Sequence, residues 1–315
     1  MNTIVTLTMN PALDKSSRIS QVVANRKLRC QPPRFEPGGG GINVARAVRK
    51  LGGYPRAVYP QGGNIGQFLT DLLKKEGLDC YPVAVRDRTR ENLTVLETSS
   101  GQQYRYVFPG PKLKEDEWQK CLDAISRQNP PPHYIVASGS LPPGVPDDFF
   151  SRLASLVKKM GSRLILDTSG PALAEAIEQP LFLIKPNLRE FSELIGMQLE
   201  KETQIQDKAI ELQKKKQVET ICISLGSGGV LLVREGKTEQ FRTPTVPIRS
   251  KVGAGDSMVA GIALALSRNQ NIREAVQFGI AAGAAAVMTP GTELCRRKDT
   301  ESLYEEIENN KKING

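Results

Sequence analysis

The chain has a single histidine, His133, among 315 residues. That scarcity nearly excludes chemistry built on a histidine triad or on several imidazole ligands, so a general base falls to a carboxylate. Cysteine is sparse as well. Cys30, Cys80, Cys121, Cys222 and Cys295 are odd in number, far apart, and form no CxxC pair. Neither a disulfide framework nor a zinc site follows, and a reducing cytoplasm is the expected setting. No apolar run approaches the ~20 residues that span a bilayer. The start Met1-Asn2-Thr3-Ile4-Val5 is strand-like rather than a basic leader. A soluble cytoplasmic protein without a membrane partner is expected.

Patterned charge is also missing. The net charge is +9, yet Lys and Arg are scattered, with short runs only at Lys214–Lys216, Arg296–Lys298 and the C-terminal tail. A nucleic-acid partner would ask for a basic stripe with interleaved aromatics. Anionic small molecules explain the balance more simply.

What is present is a regular alternation of strands and helices. Ile4–Met9 reads as a first strand ending in Asn10-Pro11-Ala12-Leu13-Asp14, a polar cluster at the carboxyl end of a strand, where α/β sheets bind ligands. Asp14 also suits a plain turn. Four glycines, Gly38 to Gly41, run into the helical spacing of Ile42, Val44, Ala45, Val48 and Leu51. Gly62–Gly66 reads as a loop before a helix over Gln67–Glu76. Arg90–Glu97 and Gln103–Phe108 alternate with period two, as a hairpin does. From residue 134 onward, continuous apolar strands end in polar or glycine-rich loops, as buried parallel strands do. The tail Asn309-Asn310-Lys311-Lys312 is expected to be disordered. The fold class predicted is α/β: one domain over 1–315, with a doubly wound, mainly parallel sheet flanked by helices. Two β segments, about 15–36 and 88–110, form a small inserted β-sheet lid with one cationic edge.

The chemistry concentrates in Lys251-Val252-Gly253-Ala254-Gly255-Asp256-Ser257, followed by the apolar run Met258–Leu266. A glycine loop entering a helix offers unsatisfied N–H groups and the positive end of the dipole to an anion. Asp256 reads equally well as a helix cap or as a proton acceptor. Other phosphate motifs fail. Gly236-Lys237-Thr238 lacks the first glycine of a P-loop and lies between two strands. No HRD or DFG set exists, and no GxGxxG follows the first strand.

Gly38-Gly39-Gly40-Gly41-Ile42-Asn43-Val44-Ala45 resembles the first signature of the ribokinase-like sugar kinases, and Val252-Gly253-Ala254-Gly255-Asp256-Ser257 their second. Lys185-Pro186-Asn187 with Glu190, and Ser224-Leu225-Gly226 with Gly228-Gly229, match in order and spacing. The resemblance covers Asn10 to about Cys295. It implies a ribokinase-like fold and ATP-dependent phosphoryl transfer with magnesium. Asp256 would take the sugar hydroxyl proton, and the N–H groups of Gly253, Ala254 and Gly255 would hold the charge developing on the phosphoryl group. Asp14, Gly39, Gly40, Asn43 and Ser140 would hold the sugar. Lys185, Asn187, Ser224, Leu225, Gly226, Gly228 and Gly229 would line the nucleotide site. Glu190 would order magnesium through water. Ser250 and Val252, with the loop Thr289–Glu293, are candidates for a potassium site.

Within the family the lid discriminates substrates. Lys27, Arg29, Arg90 and Arg105 are a candidate cationic pocket for a phosphosugar. Gly40 stands where 1-phosphofructokinases and tagatose-6-phosphate kinases usually carry a lysine. The stretch from Lys27 to Gly41 is more similar to B-type 6-phosphofructokinases, which implies fructose 6-phosphate as acceptor. Tagatose 6-phosphate or fructose 1-phosphate kinases, and a non-catalytic sugar-phosphate sensor, are the alternatives. A homodimer through the lid sheet is expected, because its edge strands need cover.

Overall fold

The structure is a computed structural model that describes residues 3–314. In chain order the elements are β1 (Ile4–Leu7), β2 (Ala12–Ile19), β3 (Arg34–Gly38), α1 (Gly40–Lys50), β4 (Pro55–Gly62), α2 (Gly63–Lys75), β5 (Asp79–Val85), β6 (Arg90–Glu97) and β7 (Gln103–Tyr106). There follow α3 (Glu115–Ser126), β8 (Tyr134–Ser138), α4 (Phe149–Lys159), β9 (Arg163–Asp167), α5 (Gly170–Ala176), β10 (Leu181–Ile184), α6 (Leu188–Ile195) and α7 (Glu202–Lys215). The chain closes with β11 (Val218–Ser224), β12 (Val230–Arg234), β13 (Lys237–Phe241), α8 (Ala254–Ser267), α9 (Ile272–Val287) and α10 (Arg297–Asn314).

Nine strands form the main sheet in the order β13-β12-β11-β10-β9-β8-β1-β4-β5. Pairing is parallel from β11 through β5, and β12 and β13 add an antiparallel edge. The apolar strands are apolar because both faces are covered. In β8, Ile135 and Ala137 pack with Trp118, Phe149 and Phe150 of α3 and α4. Tyr134 and Val136, on the opposite face, pack with Val44, Val259 and Ile262 of α1 and α8. Alternate residues therefore serve two cores, which removes the polar positions a half-exposed strand would show. No helix among the described residues is long and apolar enough to cross a membrane.

A second sheet has the order β3-β2-β6-β7. Its register sets Asp14 opposite both Glu36 and Asn92, Ala12 opposite Arg90, and Thr94 opposite Arg105. Paired residues share a face, so Asp14, Glu36, Arg90, Asn92 and Arg105 all stand on one side of this sheet.

Several boundaries differ from the sequence expectation. Asp14 lies within β2 rather than in a turn after β1, because backbone pairing to β3 and β6 overrides the local Asx preference. Residues 20–33 are not strand, and Pro32 and Pro33 lack the donors that would carry β3 further back. The helix expected from Gln67 starts at Gly63. The tail expected to be disordered continues α10 to Asn314. The segment Gly236-Lys237-Thr238 opens β13 after a tight turn in which Glu235 and Gly236 both have positive φ, at 54° and 71°. That is a hairpin turn, not a phosphate loop.

Candidate active site

The residues expected to act lie along the carboxyl edge of the main sheet, the edge at which open α/β sheets place their ligands. His133 is at the other end, exposed just before β8.

The cap question at α8 is decided by geometry. Gly253 is the N-cap, in the left-handed region at φ 78°, and no side chain caps the helix. The first N–H groups of α8 therefore keep no intrahelical or side-chain acceptor, which leaves an anion cradle at the positive end of a 14-residue helix. Asp256 does not cap its own helix. Its Oδ2 accepts from Asn43 Nδ2 of α1 at 2.9 Å, across 213 residues of sequence. Both glycine loops thus meet at one carboxylate.

Asp256 is half-buried, and its neighbours include two further carboxylates, Asp167 and Asp14. Desolvation raises its pKa from 3.8 to about 6, the Asp167 carboxylate adds to the rise, and the Asn43 bond and Lys185 oppose it. Asp167, at the end of β9, pairs with the buried Lys185 at 3.2 Å and accepts from Ser138 Oγ at 3.3 Å. Burial works against the Lys185 charge, but Asp167, Glu190 and Asp256 together outweigh it and hold the amine above its ordinary range. A Cβ on Gly255 would lie 3.6 Å from Lys185 Nζ, so the amine borders the cradle.

On the facing sheet, burial also raises Asp14, against the opposing effects of Asn92, Arg90, Arg105 and Arg46. Asn92 Nδ2 donates to Asp14 Oδ1 at 2.8 Å. A Cβ on Gly38 would overlap Asp14 Oδ2, and one on Gly40 would overlap Ser138 Oγ. Glycine is needed at these two places because the loop passes against polar atoms of the site. Arg46 of α1 braces the same loop, donating to the Pro37 carbonyl at 2.9 Å while Glu76 holds it through two 2.8 Å bonds.

Of the four cations expected to make a pocket, the structure brings Arg90 and Arg105 to Asp14. Lys27 and Arg29 are exposed on the β2–β3 connection. Arg90 donates to the carbonyls of Phe108 and Asn10 at 2.9 and 3.1 Å, and its Nε is buried without a partner. Asn10 Nδ2 donates to Ser140 Oγ at 3.1 Å, while Asn10 Oδ1 is also unpartnered.

The remaining candidates lie at the ends of β10 and β11. Asn187 caps α6, accepting from Glu190 N at 2.9 Å, and Glu190 Oε2 accepts from Asn187 N at 2.9 Å. Ser224 N donates to the Pro186 carbonyl at 3.0 Å, which fastens the two strand ends together. Leu225, Gly226, Gly228 and Gly229 form the tight turn beyond, closed by Leu225 N to the Gly229 carbonyl at 2.8 Å. Among the described residues no three His, Cys, Asp or Glu side chains gather as a metal cage. Ser250 Oγ donates to the Gly291 carbonyl at 2.6 Å and accepts from Val252 N at 3.2 Å. Glu293 directs its charge away, to Arg296 at 2.9 and 3.1 Å.

Sequence reasoning singled out the cluster that holds Asn10 but missed Asp167, Asn92, Arg46 and the acceptor role of Glu36. Asp167 was within reach, as a polar residue ending an apolar strand. Asn92 and Glu36 depend on strand register, and Arg46 on how α1 packs against the loop before it.

The pfkB family carbohydrate kinase description matches residues 1–299. The chain is 43% identical over 302 residues to the ATP-dependent 6-phosphofructokinase isozyme 2 of Mycobacterium tuberculosis, covering 96% of this chain and 89% of that one. It is 41% identical to the enzyme of the same name from Escherichia coli, covering 96% and 97%. The 1-phosphofructokinase of Vibrio cholerae is 28% identical, over 97% of this chain and 96% of that one. Phosphofructokinase-2 from Escherichia coli, solved with potassium, superposes with a TM-score of 0.94 at 41% identity, over 98% of this chain and all of that one. The same protein with fructose 6-phosphate gives 0.92 at 40% identity over the same shares, and it has also been solved as a tetrameric inhibited form.

Proposed function

The chain belongs to the pfkB family of carbohydrate kinases, and from that premise we propose that it transfers the γ-phosphate of ATP to fructose 6-phosphate. The products are ADP and fructose 1,6-bisphosphate. The observation that carries the reading is the uncapped N-terminus of α8 beside Asp256, which Asn43 holds at 2.9 Å.

In the reaction, the Asp256 carboxylate accepts the proton of the sugar's free primary hydroxyl. That oxygen bonds to the γ-phosphorus, and the bond from γ-phosphorus to the bridging oxygen breaks toward ADP. The backbone N–H groups of Gly253, Ala254 and Gly255 hold the charge on the transferring group, a role worth about 3 kcal/mol per donor. Lys185 supplies a fixed positive charge beside the same cradle. A base poised near neutrality is suited to the task, and about 6 for Asp256 fits.

Asp14, Gly39, Gly40, Asn43 and Ser140 hold the sugar in this proposal, with Arg90 and Arg105 toward its phosphate. Lys185, Asn187, Ser224, Leu225, Gly226, Gly228 and Gly229 line the nucleotide site. When bound, magnesium neutralises phosphate charge, and Glu190 orders its water. Ser250 and Val252 are the residues proposed for potassium. The second sheet acts as a lid on one kinase domain, and two copies pair through it in the cytoplasm as a homodimer. Exposed Tyr106, Val107 and Phe108, at and just beyond the end of β7, support that pairing.

Comparing kcat/KM for fructose 6-phosphate, tagatose 6-phosphate and fructose 1-phosphate tests the assignment. A preference for fructose 1-phosphate overturns the choice of sugar. Absence of ADP release with all three favours a sensor.

A further inference from the structure

The second sheet is hydrogen-bonded to the loop beside the anion cradle, and Arg34 of the same sheet acts on Glu293 of that loop by charge alone. Glu36, on β3, stands opposite Asp14 in the register and is buried. Its carboxylate accepts from Thr292 Oγ1 and pairs with Arg34 at 3.3 Å. Thr292 belongs to the loop after α9. That loop is braced at its base by Thr289 Oγ1, which donates to the Ala286 carbonyl at 2.8 Å and bonds the Glu293 carbonyl. On its other side, Gly291 accepts from Ser250 Oγ, which in turn accepts from Val252 N, one residue before the N-cap of α8. Among the described hydrogen bonds, the Glu36–Thr292 bond is the one that joins this loop to the second sheet. A cavity of about 470 Å³ lies along the seam, lined by Glu36, Thr292, Arg105, Arg249 and Val252 among others.

We propose that Glu36 and Thr292 form a latch, a pair of positioning residues that ties the sugar-bearing sheet to the backbone leading into the anion cradle. The proposal rests on the kinase reading above. Its path is short and continuous: Asp14 to Glu36 across two paired strands, then Thr292, Gly291, Ser250, Val252 and Gly253. Neither side chain touches a reacting atom. Their effect is to fix the distance between a sugar hydroxyl seated at Asp14 and the phosphoryl group seated on α8. Phosphoryl transfer is sensitive to that placement, since a misplacement of about 1 Å costs on the order of a hundredfold. Without the Thr292 hydroxyl, Glu36 keeps Arg34, so the carboxylate remains paired while the tie to the loop is lost.

The test compares Thr292→Val, Thr292→Ser, Glu36→Ala and the Thr292→Val/Glu36→Ala double variant in the full chain. Steady-state kinetics and amide hydrogen exchange over residues 250–256 are the two readouts. Loss of the latch is expected to lower kcat by roughly tenfold while KM for ATP stays within about twofold, because positioning rather than nucleotide binding is impaired. Thr292→Ser keeps wild-type kcat. The double variant is no slower than either Thr292→Val or Glu36→Ala, as two halves of one contact require. Exchange at 252–256 quickens in Thr292→Val and in Glu36→Ala but not in Thr292→Ser. Wild-type kcat in Thr292→Val, losses that multiply in the double variant, or unchanged exchange would each overturn the latch. Wild-type turnover on fructose 6-phosphate judges the kinase reading separately, and the exchange measurement needs no turnover.

Discussion

Asp256→Asn is expected to abolish most turnover and at the same time to stabilise the protein. Asn has the same shape, and its amide oxygen can accept from Asn43 as Oδ2 of Asp256 does at 2.9 Å. What changes is the charge. Removing a general base costs roughly 10²–10⁴ in kcat, or about 3–5 kcal/mol of barrier. The stability effect has the opposite sign. Burial and Asp167 displace the Asp256 pKa from 3.8 to about 6. The folded state therefore holds a proton that the unfolded chain releases between those two values. Wild-type stability from this group is full below pH 3.8, falls as pH rises toward 6, and is flat above, at a cost of about 3 kcal/mol. The variant lacks that slope. Its advantage over wild type should grow between about pH 4 and 6 and then level off, appearing as several degrees in Tm at pH 7.5. Urea and thermal unfolding of both proteins at matched pH, beside turnover with fructose 6-phosphate, measure the two effects. A variant less stable than wild type at pH 7.5, or a difference independent of pH, would refute the account of Asp256 as a charge held against desolvation. Turnover above about a tenth of wild type would refute its role as base.

Three further outcomes follow from the same geometry. Gly253→Ala places a Cβ 2.7 Å from Leu294 Cδ2 at a backbone φ of 78°. It should cost about 1–3 kcal/mol in urea unfolding and lower kcat at least about tenfold through the tilted cradle. Lys185→Met strands Asp167 without its 3.2 Å partner, with an expected loss of about 3–5 kcal/mol. It also removes a charge that lowers Asp256, so the acid limb of the pH–kcat profile should move to higher pH, and an unmoved limb would argue against the coupling. Arg90→Met should raise KM for fructose 6-phosphate about tenfold or more while leaving KM for ATP nearly unchanged, and equal changes in both would remove Arg90 from the sugar side.

The sequence by itself determined the layered α/β fold, because its signals are short-range. Continuous apolar strands such as Ile135–Ala137 announce two covered faces, and the glycine loops before α1 and α8 announce helix starts with exposed donors. The same locality is why Asp256 could not be told from a cap, and why Asp14 read as a turn residue. Only the tertiary structure decided those questions. Asn43 reaches Asp256 across 213 residues, Asn92 reaches Asp14 across 78, and Thr292 reaches Glu36 across 256. Such contacts depend on strand register and on which helices share a sheet face, quantities that no local spacing carries. The four cations of the expected cluster are placed differently for the same reason. Lys27 and Arg29 fall on an exposed connection, whereas Arg90 and Arg105 are brought by paired strands to the face that holds Asp14.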